Sequence, residues 1–437
     1  MNGRFGSRAG LKIRRPGRGE LLARPGERWL PDPNLTFAEP WNGGGEKPLS
    51  HHLHNWREIS LRQADFKGSR KIACMKIAQI SPLIESVPPK LYGGTERIVS
   101  YLTEELVRQG HDVTLFASAD SQTSARLVPC AKQALRLDPA VEDGLPHHLV
   151  MLEEVRRRAD EFDVLHFHID MLHMPFVRDI GPPTVTTLHG RQDLPDLQAL
   201  YGVFDDVPLI SISNDQRRPL PFVNWMGTVY HGLPRNLLAM GSGRGGYLAF
   251  LGRISPEKRP DRAIEIAVRA GLPLKIAAKV DKADREYWKQ VIEPLVRAHR
   301  DVEFIGEVNE QEKAEFLGDA LAMLFPIDWP EPFGLVMIEA MACGTPVIGF
   351  KCGSVPEIID EGVSGMIVDT IDAAVEAVRT IGTLDRAGVR QCFERRFSDE
   401  RMARDYLAIY RQLTGTEAAR LLPVATGSEG RLIGAVA

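Results

Sequence analysis

Short apolar runs alternate along this chain with longer segments whose apolar residues return every third or fourth position. The run Lys76-Ile-Ala-Gln-Ile-Ser81 predicts a strand, and residues 95–109 carry Ile98, Leu102 and Leu106 at helical spacing before stopping at Gly110. Further strands are expected at 112–117, 164–167, 184–188, 209–212 and 228–230. A second series is expected at 247–251, 274–278, 302–305, 320–325, 346–349 and 365–368. Between and after the second series, helices are expected at 259–270, 283–298, 310–317, 335–341, 371–381 and 398–413. Alternation of buried, Val/Ile/Leu-rich strands with amphipathic helices specifies α/β architecture with parallel, doubly wound sheets. Two such sheets facing one another leave a cleft lined by the carboxyl ends of strands, where ligands of this class bind.

The two series are separated by Gly241-Ser-Gly-Arg-Gly-Gly246, within a break at 239–246 that reads as a flexible linker and hinge. Its spacing matches G-x-G-x-x-G, but a dinucleotide fingerprint follows a strand and opens a helix, whereas this one precedes a strand. A nicotinamide dehydrogenase is set aside on that ground. The expected organisation is therefore a first domain over 75–240, a second over 247–397, a last helix at 398–413 and a loose tail at 415–437. Residues 1–74 lack a sustained apolar period and hold ten glycines and six prolines. They are expected to be disordered. Met75, directly before the first strand, is read as the natural start; a basic membrane-tethering tail is the functional alternative.

Charge sharpens this division. Residues 1–74 contain 14 Lys/Arg against 7 Asp/Glu, whereas the remainder contains 40 against 51. An acidic main body argues against general nucleic-acid binding. The five cysteines (74, 130, 343, 352 and 392) form no C-x-x-C pair, so neither a disulfide framework nor a structural zinc is expected, and a cytoplasmic setting fits best. No apolar stretch approaches the roughly 20 residues that span a bilayer, which leaves peripheral membrane contact open.

The chemistry concentrates in three motifs. The strongest is Glu331-Pro-Phe-Gly-Leu-Val-Met-Ile-Glu339, continuing to Val347. Pro332 and Gly334 put a loop before a helix starting near Leu335, so the amides of Gly334 and Leu335 lack intrahelical partners and face an anion at the positive end of the dipole. Glu339 lies one turn further on the same face as Leu335. It can accept from vicinal ribose hydroxyls, and Glu331 from hydroxyls of a sugar. The second motif runs from Phe250 to Pro260: Arg253 and Lys258 follow a buried strand, two cations suited to a departing diphosphate, with Glu257 placed to orient one of them. The third is Tyr92-Gly93-Gly94-Thr95-Glu96, whose glycines allow close backbone approach to a ligand at a helix start.

Together these motifs resemble glycosyltransferase family 4 enzymes of the GT-B fold, two Rossmann-like domains facing across a cleft. The resemblance covers residues 75–413. It implies retention of anomeric configuration and a nucleotide-diphosphate sugar held mainly by the second domain. The first domain would hold most of the acceptor (a glycan, lipid or small molecule), and helix 398–413 would cross back onto that domain. In those terms Arg253 and Lys258 grip the diphosphate, Glu339 the ribose, and Glu331 with the backbone of Phe333, Gly334 and Leu335 the donor sugar. His189, in Thr-Thr-Leu-His-Gly190, matches the family's histidine near the reacting sugar. His168, Asp170 and Arg191 are acceptor-side candidates. One departure is Ala278-Lys-Val-Asp281, where the family often has a glycine-rich turn and where Lys279 is a candidate further cation; Asp328-Trp329 is a candidate for sugar choice, with packing the alternative for Trp329.

His166, His168 and His173 invite a metal reading. Alternation points His166 and His168 to one face, but the Cys or carboxylate partners a zinc site needs are missing at suitable spacing. No D-x-D triplet occurs. The expected mechanism is therefore metal- and cofactor-free front-side transfer, with closure about the linker excluding water. A GT-B-fold sugar-nucleotide epimerase and a non-catalytic sugar-nucleotide binding protein are the alternatives. Donor sugar, base and acceptor are not legible.

Overall fold

The computed structural model describes residues 74–90 and 93–415. The readings made for 1–73, Tyr92 and 416–437 fall outside them. All described residues belong to one compact unit containing two parallel sheets. The first has the order β3-β2-β1-β4-β5-β6-β7: β1 is Lys76–Ile80, β2 Asp112–Ser118, β3 Arg126–Ala131, β4 Val164–Phe167, β5 Thr184–Thr187, β6 Leu209–Ser211 and β7 Trp225–Thr228. The second has the order β10-β9-β8-β11-β12-β13: β8 is Leu248–Arg253, β9 Leu274–Lys279, β10 Val302–Gly306, β11 Ala322–Phe325, β12 Val347–Phe350 and β13 Gly365–Val368. This is the expected α/β, GT-B arrangement of two doubly wound sheets.

The departures have local causes. β3 is not expected from the sequence because Pro129 interrupts its apolar pattern; an edge strand pairing only with β2 tolerates the missing N–H. β7 ends where a strand is expected to begin, at Thr228. It too is an edge, only half-buried along its length, so alternation marks it weakly. The helix expected at 283–298 breaks into Arg285–Tyr287, a π turn at Trp288–Ile292 and Glu293–Ala298. Pro294 has no N–H to return to the preceding turn, which favours the wider turn before it. Helix Leu145–Arg158 escapes a periodicity reading because Leu145, Leu149 and Val150 are exposed.

The glycine break packs against the second sheet's elements. The amides of Gly241, Gly243 and Gly245 donate to Cys343, Gly318 and Asp319 carbonyls at 2.9–3.0 Å. A Cβ on Gly241 would lie 2.1 Å from the Gly318 Cα, so close approach of two backbones is one need these glycines serve.

The last helix, Asp399–Leu413, lies on the first sheet. Its Tyr410 hydroxyl accepts from Gln79 Nε2 at 3.2 Å, and Tyr406 shares a hydrogen bond with Thr187 at 3.1 Å. One apolar cluster runs continuously from Ile98, Leu102 and Val113, through Tyr406 and Tyr410, to Phe333, Met337 and Phe325. The two sheets thus share a core. Among the described residues, no helix is long and apolar enough to cross a membrane.

Candidate active site

Helix Leu335–Ala342 has Gly334 as its N-cap, in the left-handed region at φ 82°, and no side chain caps it. A Cβ on Gly334 would approach Met337 Cε to 2.7 Å, so the turn requires glycine on conformational and steric grounds. Helix Gly94–Arg108 also has a glycine N-cap without a side-chain cap, Gly93, here in extended backbone. The two bare helix starts meet: a Cβ on Gly94 would lie 3.7 Å from Leu335 Cδ1. One helix start from each half is therefore brought close to the other, and the amides and dipole at such a start favour an anion.

The two cations lie at and just after the end of β8. Arg253 ends β8 and donates to Glu257 Oε1 at 2.5 Å, with Asp284 3.5 Å away. Burial works against the Glu257 carboxylate, but its own backbone amide, Ser255 and Arg253 hold it below the usual range. Lys258 pairs with Glu331 Oε2, which also accepts from Trp329 Nε1 at 2.9 Å, and the ammonium sits 5.0 Å from the Trp329 ring centroid. Gly353, at φ 56°, presses on the loop; a Cβ there would fall 2.4 Å from the Glu331 amide nitrogen. Ser354 donates its amide to the Glu331 carbonyl at 3.0 Å. The Glu331 loop is thus clamped from behind. Arg191, on the first half, reaches across to lie 5.7 Å from the Trp329 centroid while paired with Asp193 at 2.6 Å. Trp329 is therefore a contact between halves as well as a support for Glu331.

His189 follows β5. Its Nε2 shares a 2.9 Å hydrogen bond with His168 Nδ1, and its ring stacks on His231 at 5.3 Å. His231 in turn meets Phe333 at 4.8 Å. Burial drives His189 down to about 3 and lowers His166, His168 and His231 well below the ordinary range. These imidazoles are neutral at physiological pH. His189 is therefore fitted to hydrogen bonding and not to charge stabilisation.

The acceptor-side candidates divide. Arg191 is exposed. Asp170 is also exposed, in the left-handed region at φ 51°, and takes the His189 backbone amide. His168 departs from the expected cleft-lining role. It is 1% exposed, and both its nitrogens are engaged, by His189 and Gln79, so neither is left for a ligand. His166 bonds Tyr410 and Thr187, at 2.7 Å each. His173 stacks on Phe167 and bonds Thr186 instead of joining the other histidines.

Glu339 is 4% exposed and accepts from Lys313 Nζ at 2.7 Å. Breaking such a buried pair costs about 3–5 kcal/mol. Neither Lys313 nor His231 carries a local sequence signal. A third such residue is Glu357: Oε2 accepts from the Asn214 amide at 2.7 Å and from Tyr230 at 3.0 Å, and Oε1 from the Asp215 amide at 2.7 Å. It clasps the start of helix Asn214–Arg217 on the first half from the second. Charge-assisted bonds of this kind are worth about 1–2 kcal/mol at a partly exposed site. Glu357→Ala is expected to enlarge the ligand-free radius of gyration in small-angle scattering, and donor binding to restore it; an unchanged curve would remove the clasp.

Both halves of the chain are similar to known glycosyltransferases. Residues 243–386 match the family described as "Glycosyl transferases group 1" and residues 92–227 match "Glycosyltransferase Family 4". A D-inositol 3-phosphate glycosyltransferase of Saccharomonospora viridis is 25% identical over 429 residues, covering 82% of this chain and 97% of the relative. An uncharacterized glycosyltransferase of Methanocaldococcus jannaschii is 25% identical over 345 residues, 67% of this chain and 85% of that one. Among solved structures, a glycosyltransferase involved in avilamycin A biosynthesis superposes with a TM-score of 0.58 at 25% identity, covering 78% of this chain and 98% of that one. Sucrose-phosphate synthase from Thermosynechococcus elongatus shares the fold, with a TM-score of 0.64 at 19% identity over 78% of this chain and all of that one. Both halves of the chain are thus accounted for by one enzyme type, and the protein belongs to the family 4 glycosyltransferases of the GT-B fold.

Proposed function

We propose that this enzyme transfers a sugar from a nucleotide-diphosphate sugar to a hydroxyl-bearing acceptor, with retention and without a metal ion. The observation that carries the reading is the adjacency of two helix starts, Gly94 and Leu335, with Glu331 on the loop before the second and paired to Lys258, Arg253 at the end of β8, and Glu339 on the second helix. The diphosphate lies against the bare amides and the two cations. Glu339 accepts from the ribose, and Glu331 with the backbone of Phe333–Leu335 from the donor sugar. The bond from the anomeric carbon to the diphosphate oxygen breaks, and the acceptor oxygen bonds to that carbon from the same face. The acceptor's proton passes to the departing phosphate oxygen. Amides fixed before the reaction stabilise the developing charge without reorganising, which is what lowers the barrier. His189, neutral and held by His168, offers a hydrogen bond to the sugar; Arg191 and Asp170 lie on the acceptor side.

The test is NMR of the sugar signals with UDP-, GDP- and ADP-sugars and an acceptor panel that includes D-inositol 3-phosphate. A new glycoside whose anomeric configuration matches the donor supports the reading. An inverted product overturns retention, and isomerised donor or unchanged donor overturns transfer. Full activity after exhaustive chelation supports the metal-free mechanism, and abolished activity restored by a divalent cation overturns it.

A further inference from the structure

Asn309 caps helix Glu310–Asp319: its Oδ1 accepts the amides of Gln311 and Glu312 at 3.0 Å each, and Glu312 returns a carboxylate to the Asn309 amide at 2.9 Å. This fixes where the helix starts, and so where Glu310 and Lys313 point. Lys313, 8% exposed, donates to Glu339 Oε1 at 2.7 Å and to Glu310 Oε1 at 3.0 Å. Arg97, on the first half's helix Gly94–Arg108, meets the same Glu310 oxygen. A continuous line of alternating charge thus runs from Arg97 on the first half through Glu310 and Lys313 to the buried Glu339 carboxylate.

We propose that Lys313 is a positioning residue for the nucleotide site: it fixes the Glu339 carboxylate to read the ribose hydroxyls, and through Glu310 and Arg97 it ties that carboxylate to the opposite half. The inference rests on the reading of Glu339 as the ribose acceptor. Stability alone gives no reason for this lysine, because an apolar pair of similar volume is commonly as stable as a buried ion pair. A carboxylate offers about four acceptor positions, so one ammonium contact orients it while leaving capacity for hydroxyls. The ammonium is secure in its charge: burial works against it, but Glu339 and Glu310 raise its pKa above the ordinary lysine value. Glu339 thus enters binding already oriented, and less ordering is left to the moment the nucleotide arrives.

Calorimetric titration of UDP, GDP and ADP, each beside its 2′-deoxy counterpart, tests this in the full chain. Lys313→Met is expected to weaken the preferred ribonucleotide about tenfold and to leave the 2′-deoxy nucleotide unchanged, with kcat at saturating donor within about twofold. Glu339→Gln should produce the same loss, and the double variant no further loss. Equal weakening of both nucleotides by Lys313→Met would mark the lysine as merely structural. Retained ribose discrimination in Lys313→Met beside its loss in Glu339→Gln would overturn the positioning role alone. Retained discrimination in Glu339→Gln would remove the ribose reading, and this inference with it. If Lys313→Met does not fold, Lys313→Arg keeps the charge on a fork of different reach. It should give an intermediate ribose preference; a wild-type preference would overturn the proposal.

Discussion

Arg253→Met is expected to lower kcat/KM by about 10²–10³-fold, the range seen when one preorganised donor to developing charge is removed, while the unfolding midpoint stays within a few degrees. Arg253 stands where β8 ends, and its side chain is 36% exposed among Glu257 and Asp284. Its ion pairs are partly exposed, so they add little to folding. A diphosphate arriving there meets a guanidinium already held in place. If Arg253 acts on charge that appears as the diphosphate leaves, the loss falls mainly on kcat; a loss confined to KM would make it a ground-state binder. Arg253→Lys keeps the charge without the planar fork and should recover only part of the rate. Near-full turnover by Arg253→Met would take it out of the reacting centre. Lys258 differs, because its ammonium is paired with Glu331. Removing it also frees Glu331, so its variant should alter sugar binding as well as rate.

A steep loss of stability below pH 6.5 is the second large effect. His166, His168, His189, His231 and His173 are buried with their pKa values depressed, chiefly by desolvation. In the unfolded chain each regains an ordinary value of about 6.5. The unfolded state therefore binds more protons as pH falls through 6.5, and the native state is penalised. Each histidine held neutral costs about 1 kcal/mol between pH 6.5 and 5.5, and about 1.4 kcal/mol for each further unit. Together they approach the total stability of a typical domain, about 5–15 kcal/mol. Asp399, raised to about 6 mainly by burial, acts in the opposite direction, as do Glu85 and Glu96, both raised by burial. Their native forms take up protons more readily than the unfolded chain does, so they offset part of the loss as pH falls through their raised values. Urea midpoints at pH 7.5, 6.5 and 5.5 should fall most steeply over the last step. A flat profile would mean that these imidazoles are not neutral in the folded protein, or that the carboxylates cancel them.

Much of the proposed site is local and is carried by the sequence alone. Gly334 sits where only a residue tolerant of φ 82° can open the helix, Glu339 follows one turn later, and Arg253 lies where an apolar strand runs out. Strand and helix periods likewise depend on neighbours a few positions away, which is why the buried central strands are legible and the edges β3 and β7 are not. Lys313, Glu357 and His231 are different. Lys313 lies in the run Glu310-Gln-Glu-Lys313, indistinguishable by composition from a solvated helix face, and becomes a buried ion-pair partner only because Glu339 is folded against it from 26 positions away. Glu357 acquires its partners 127 to 143 positions upstream, and His231 its ring contacts from His189 and Phe333 on opposite halves. His168 shows the converse: its strand register is plain from the sequence, but whether it faces a ligand or another histidine is not. Backbone geometry and dipoles are short-range and survive in the order of residues. Burial, ionisation and the closing contacts between halves depend on which side chains the fold brings together from far apart in the chain, and only the tertiary structure decides that.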